Sequence, residues 1–188
     1  MAVSLGDRSV SPTDSSSAGT SSASLAPDRS APRRKVGLSD AAVSADGAVL
    51  VTSGLGSCLG VALHDPNVGV GGLLHAMLPA ADGRPGGPEK FVVDGIDATV
   101  AAMADAGATP DDLRAKIAGA AEMIEFNAGG ADGSVGDRNV AAAEAALRDR
   151  GIPVVGADVG GDCGRSLRLD TATGALHVSY AGGETIVL

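Results

Sequence analysis

Cys58 ends a run of small residues, Gly54-Leu55-Gly56-Ser57, and this turn is the part of the chain best suited to nucleophilic chemistry. Gly54 and Gly56 lack Cβ bulk and accept backbone angles that other residues resist. Backbone N–H groups in such a turn, from Gly56 and Ser57 to Cys58, converge on one point, which is what an oxyanion needs. A thiol placed there attacks a carbonyl carbon while the amides hold the developing charge. Near neutral pH a thiol is mostly protonated, so it needs a base. The candidates are His64, His75 and His177.

Spacing chooses among them. A strand from Cys58 to about His64, the turn signal Asp65-Pro66-Asn67 and a strand over about 69–77 predict a tight hairpin. The returning strand lays His75 near Cys58 and leaves His64 at the far end. Residue types alone leave other readings open. A lone Cys is commonly a small buried hydrophobe, and a lone His is commonly a satisfied polar group in a core. Thr52, taken by itself, is an ordinary β-branched strand residue. Positions 58, 64, 75 and 163 match no common zinc spacing. The glycine run lacks the third glycine of a dinucleotide motif, and no Gly-Lys-Ser/Thr follows it.

The elements that must position these residues follow from periodicity. Residues 48–53 read as a strand, with a turn over Gly54–Ser57. A helix is predicted over 89–106, where Val93, Ile96, Val100 and Met103 recur at helical spacing and Gly107 follows as a cap. Residues 115–124 read as a buried strand and 137–150 as an Ala-rich helix with Val140, Ala143 and Leu147 on one face. Gly151 ends that helix, a strand at 152–158 follows, and 165–170 and 175–180 form a hairpin around Thr173-Gly174. Strands early and late with helices between predict an α/β (α+β) domain, a layered α/β/β sandwich with mixed sheets. Asp137 reads as an N-cap or first-turn acid, which gives Arg138 and Asn139 a structural role. Arg165 reads as a surface ion pair rather than a receptor contact.

Residues 1–34 differ from the rest. Ten of the first 32 are Ser and three are Pro, so this stretch is expected to be a disordered tail ahead of a domain at 35–188. The domain is apolar without being aromatic: 44% of residues are hydrophobic but only 2% aromatic, so its core is built from Val, Leu, Ile and Ala. A net charge of -9 argues against nucleic acid as a partner. An Asp-rich, Lys-poor chain fits adaptation to a salty cytoplasm and GC-rich codon bias equally well. Two cysteines do not make a disulfide framework. No apolar run reaches membrane-spanning length, and no signal-peptide pattern opens the chain, so a cytoplasmic protein without membrane insertion is expected.

Several motifs together resemble one family. They are Thr52-Ser53-Gly54-Leu55-Gly56-Ser57-Cys58, His64-Asp65-Pro66 and Gly71-Gly72-Leu73-Leu74-His75-Ala76-Met77-Leu78-Pro79. Lys116-Ile117-Ala118-Gly119, Val135-Gly136-Asp137-Arg138-Asn139, Gly160-Gly161 and Gly164-Arg165-Ser166 extend the match from about Val36 to the C-terminus. The chain resembles the chemoreceptor glutamine deamidases (CheD). The resemblance implies a protein-glutamine deamidase that converts chemoreceptor glutamines to glutamate in chemotaxis adaptation through a Cys thioester. It implies Cys58 as nucleophile, His75 as catalytic histidine and Thr52 as the hydroxyl that orients the imidazole or a water. It implies no metal or cofactor. The implied partners are the cytoplasmic helices of methyl-accepting chemoreceptors and a CheC-type phosphatase. Two other readings are a regulatory binding partner of that phosphatase and a receptor methylesterase. The chain departs from the family pattern at Ala120, where a second glycine is common, at Glu122-Met123-Ile124, and at Cys163. Cys163 reads as incidental, with a redox pairing to Cys58 left open.

Overall fold

A computed structural model describes residues 31–122 and 133–188. The expected tail therefore lies outside the described residues as far as residue 30, as do the last two residues of the expected strand at 115–124. Within the described residues, ten strands form two five-stranded sheets. The central sheet runs β2 (Asp40–Ser44), β5 (Val70–Ala76), β4 (Leu59–Asp65), β6 (Arg114–Gly119) and β7 (Val154–Val159). The outer sheet runs β1 (Arg33–Lys35), β3 (Val49–Leu55), β8 (Arg165–Asp170), β9 (Leu176–Tyr180) and β10 (Thr185–Val187). Each sheet is mixed: β6 and β7 are parallel in one, β1 and β3 in the other, and the remaining neighbours are antiparallel. Helices α1 (Val92–Asp105) and α2 (Val135–Asp149) cover the free face of the central sheet. The order of layers is the expected α/β/β.

Burial follows from that layering. The central sheet is covered on both faces, so β5 is buried at every residue and β4 at every residue but His64. Strands of this kind read as nearly continuous apolar runs. β8, with one face toward the core, alternates buried and half-buried positions. One core cluster lies between helices and central sheet, with Leu74, Ile96, Met103, Ile117 and Leu147 at its heart. The other lies between the sheets, around Leu50, Leu55, Leu73, Leu167 and Val178.

Several boundaries differ from the sequence reading. Gly54 and Leu55 belong to β3 rather than to the turn, and Gly54 takes a φ of +79° where the β3–β8 register shifts. That positive φ suits glycine and makes the bulge possible. The bend proper is Gly56–Cys58, and β4 starts at Leu59, one residue later than expected. β6 stops at Gly119 because Gly119 and Ala120 both take positive φ, +115° and +57°. Helix α1 begins at Val92, after a 3-10 turn over Pro88–Lys90, and ends at Asp105, with Ala106 as C-cap and Gly107 beyond it at a φ of +100°. Helix α2 begins two residues earlier than expected. Ser134 is its N-cap, and Asp137 closes a reciprocal capping box with it. β7 is displaced by a residue or two from 152–158. β1, β2 and β10 had no counterpart in the reading. β1 is three exposed basic residues, and β10 is three residues long.

Leu147 anchors α2 on the central sheet and is fully buried. Leu147→Ala is expected to lower unfolding free energy by about 2–5 kcal/mol in denaturant melts. A loss under about 1 kcal/mol would mean that the helix is not packed there as described.

Candidate active site

The chain crosses from the outer sheet to the central sheet between β3 and β4, and Cys58 is the last residue of that crossing. The same end of the central sheet receives the last residues of β5 and β6, because Leu59 pairs with both Ala76 and Gly119. The β4–β5 hairpin therefore does what its spacing predicts. His75 pairs with Gly60, two residues from Cys58, while His64 pairs with Gly71 at the other end, where its Nε2 lies 3.1 Å from the Thr171 carbonyl. His177 lies on β9 of the outer sheet, opposite Arg168.

His75 is 2% exposed, and its face is settled by its neighbours. Directly paired residues share a face. A Cβ on residue 60 would meet Leu167 and Leu55 of the inter-sheet core, so His75 also points toward the outer sheet. There its Nδ1 lies 2.8 Å from Thr52 Oγ1 on β3. Thr52, an unremarked strand residue by type, is thus a buried partner of the imidazole. Among the described residues, the other ring nitrogen, Nε2, is buried with no hydrogen-bond partner.

The bend is held by its carbonyls. Ala121 N–H donates to Gly56 O at 2.7 Å and Ala120 N–H to Cys58 O at 2.8 Å. The middle carbonyl, Ser57 O, accepts from Asn139 Nδ2 at 3.0 Å. All three carbonyls are taken, whereas none of the amides of Gly56, Ser57 and Cys58 finds an acceptor among the described residues. The close approach of β6 depends on a missing side chain: a Cβ on residue 119 would lie 2.5 Å from Cys58 O.

Two residues given structural or surface roles from sequence prove central to this arrangement. Asn139 is fully buried, and its Nδ2 donates to Met77 O as well as to Ser57 O, each at 3.0 Å. Its position on the buried stripe Gly136, Asn139, Ala143, Leu147 is the signal that marks it, since a polar group on an apolar stripe must find partners. Arg165 does form an ion pair, but not on the surface. It is 5% exposed, and its Nε donates to Asp158 Oδ2 at 2.8 Å. Its Nη1 donates to Gly160 O at 2.8 Å, and the guanidinium lies 5.1 Å from the Tyr180 ring centroid. The 160–164 loop it anchors adjoins the bend's supports, because Gly160 N–H donates to Gly119 O and Glu122 N–H to Gly161 O.

Cys58 is half-buried and Cys163 exposed, and both thiols are free. Burial pushes the Cys58 thiol above its ordinary pKa and the His75 imidazole below its own. Each shift favours the neutral form of its group, and the Cys58 thiol makes no hydrogen bond to Nε2 of His75. Among the described residues, no three His, Cys, Asp or Glu side chains come together in a way that could hold a metal ion. No helix among them is long and apolar enough to cross a membrane.

A raised thiol pKa means that Cys58 ionises only as pH rises. In a Cys163→Ser background, iodoacetamide should label Cys58 slowly at neutral pH, with a rate that climbs through a midpoint above that of an ordinary cysteine thiol. A rate already flat between about pH 6 and 8 would indicate a preformed thiolate instead.

Comparison with known proteins agrees with the motifs. The family described as CheD chemotactic sensory transduction matches residues 77–180, a stretch that includes Asn139 and Arg165. A protein of Natronomonas pharaonis named probable chemoreceptor glutamine deamidase CheD is 50% identical over 83% of this chain and 93% of its own length. A Haloarcula marismortui protein of the same name is 46% identical over 86% of this chain and 94% of its own. One from Geobacter metallireducens, named probable chemoreceptor glutamine deamidase CheD 2, is 49% identical over 76% of this chain and 90% of its own. Among solved structures, a Neisseria meningitidis protein of the DUF152 family aligns at a TM-score of 0.42 and 18% identity, covering 70% of this chain and 63% of its own, a likeness too slight to inform the site. With more than half of its residues matched by the family itself, and relatives this similar along most of its length, the chain belongs to the CheD family.

Proposed function

We propose that this protein is a cysteine-dependent glutamine deamidase acting on chemoreceptors, with Cys58 as nucleophile and His75 as its base. The observation that carries the reading is the Thr52–His75 hydrogen bond, which occupies Nδ1 and leaves Nε2 free beside a bend whose carbonyls are tied and whose amides are not. The substrate class rests on the names of the relatives and on membership of the family.

In this mechanism Thr52 Oγ1 accepts from Nδ1–H, so Nε2 carries the lone pair. As a receptor glutamine enters, Cys58 Sγ closes on its carboxamide carbon and the thiol proton passes to Nε2. Apo catalytic contacts commonly tighten only with substrate in place. The carbon–sulfur bond forms, and the former carbonyl oxygen becomes an oxyanion held by amides of the Gly56–Cys58 bend. The carbon–nitrogen bond then breaks. The imidazolium gives its proton to the departing nitrogen, ammonia leaves and a thioester remains. Water attacks that thioester as Nε2 takes its proton. Glutamate is released and the thiol is restored by the same proton. Every proton is accounted for by one imidazole, so the steps need no metal or cofactor.

The low pKa direction of His75 suits this cycle, because the imidazole stays unprotonated below the pH at which an ordinary histidine charges. The reading places the protein in the cytoplasm, with chemoreceptor helices as substrate and a CheC-type phosphatase as a regulatory partner. The family resemblance of the motifs supports both partners.

Cys58→Ala and His75→Ala should each abolish the mass increase of amide-to-acid conversion in a purified receptor, while circular dichroism stays that of the parent. Thr52→Ala should lower kcat by about 10–100-fold, and Thr52→Ser, which keeps the hydroxyl, should retain most of it. Undiminished conversion by Cys58→Ala would falsify the nucleophile assignment.

A further inference from the structure

Asn139 makes more contact with the bend than a helix-start residue requires. It reaches from the first turns of α2 to two carbonyls on different segments. One is Ser57 O, in the middle of the bend. The other is Met77 O, two residues past His75 on the chain leaving β5. Both protons of one side-chain nitrogen are spent on this pair, at 3.0 Å each, in a side chain with no exposure. Its Oδ1 remains buried without a donor among the described residues. A buried acceptor left unpaired is a cost, and an apolar residue at this position of the stripe would avoid it. The geometry that Asn139 imposes explains why the amide is there.

We infer that Asn139 is a positioning residue for the reaction: by clamping Ser57 O to Met77 O it turns the amides of the bend toward the substrate and fixes the nucleophile's bend against the histidine's strand. The inference rests on the deamidase reading above. Peptide planes are rigid, so a carbonyl held inward directs the amide on the other side of the same plane outward. Ser57 O and Cys58 N–H belong to one such plane. The clamp on Ser57 O therefore orients the Cys58 amide, the group nearest to a carbonyl oxygen under attack by Cys58 itself. The supports at Gly56 O and Cys58 O are backbone amides, brought close because residue 119 has no side chain. Only the middle carbonyl depends on a side chain.

Two chemistries at the same sulfur separate positioning from plain structure. Deamidation builds an oxyanion and needs the aligned amides, whereas alkylation by iodoacetamide displaces iodide at a saturated carbon and builds none. In Asn139→Ala, kcat for ammonia release from a purified chemoreceptor should fall by about 100-fold with KM little changed, the size expected from a small misplacement. The alkylation rate of Cys58 and its pH profile should stay those of the parent. Asn139→Asp keeps the shape and, while its carboxyl is protonated, one donor. Its kcat should be intermediate at low pH and fall as the carboxyl ionises, a limb that the parent lacks. This second variant carries the test if the alanine variant fails to fold. A parental kcat in Asn139→Ala overturns the inference. So does a parallel loss of kcat and alkylation in that variant, or a parental pH profile in Asn139→Asp. A Cys58→Ala control run alongside keeps the two claims apart: ammonia release that survives it overturns the deamidase reading, and the inference with it, whatever Asn139 does.

Discussion

Two buried side chains from different sheets, Thr52 and His75, share a hydrogen bond of 2.8 Å, and the site depends on it. It spans the gap between the sheets, so it exists only when the sandwich is closed and in register. A neutral hydrogen bond of this kind contributes about 0.5–1.5 kcal/mol, while an unpaired buried nitrogen such as Nε2 costs about 1–3 kcal/mol. The imidazole is thus a net burden on stability, and its placement makes sense as chemistry. Burial also disfavours a charged ring, since among the described residues nothing acidic partners His75 and desolvation lowers its pKa. In the proposed mechanism, a neutral ring with one nitrogen held and the other free is the state that general-base catalysis requires.

The Gly56–Cys58 bend is shaped by elements that reach it from three directions. The residues after β6 take the outer carbonyls, α2 takes the middle one through Asn139, and the 160–164 loop closes behind them. The buried Arg165–Asp158 pair holds that loop, with side-chain exposures of 4% and 15%. Breaking a pair so enclosed costs about 3–5 kcal/mol, because the remaining charge is stranded. Exposed pairs such as Arg34–Asp46 contribute about 1 kcal/mol or less. The large electrostatic stake among the described residues therefore sits behind the Gly56–Cys58 bend.

The hairpin was legible in the sequence because it is local. Strand length and the Asp65-Pro66 turn determine which histidine returns to Cys58, and no long-range knowledge is needed. The layering was legible from the order of periodic segments. Thr52 was not legible from residue type, since its role depends on β3 lying across from β5 in another sheet; only the family resemblance pointed to it. Arg165 looked like a surface residue because charge suggests exposure, and its burial comes from Asp158 and Tyr180, partners on other strands. β1 and β10 escaped notice for a related reason. Short edge strands carry no apolar alternation of their own and are recruited by β3 and β9. The bend starts two residues and ends one residue later than the expected Gly54–Ser57 turn, because Gly54 suggests a turn and here makes a bulge within a strand.

In the proposed mechanism Nδ1 of His75 carries the proton and donates to Thr52, leaving Nε2 as the base. Nitrogen-15 NMR of the His75 ring reads this directly. At neutral pH the expected ring is neutral with a protonated Nδ1 and a bare Nε2, and a Thr52→Val variant loses this preference. A proton found on Nε2, or a charged ring at that pH, would contradict it.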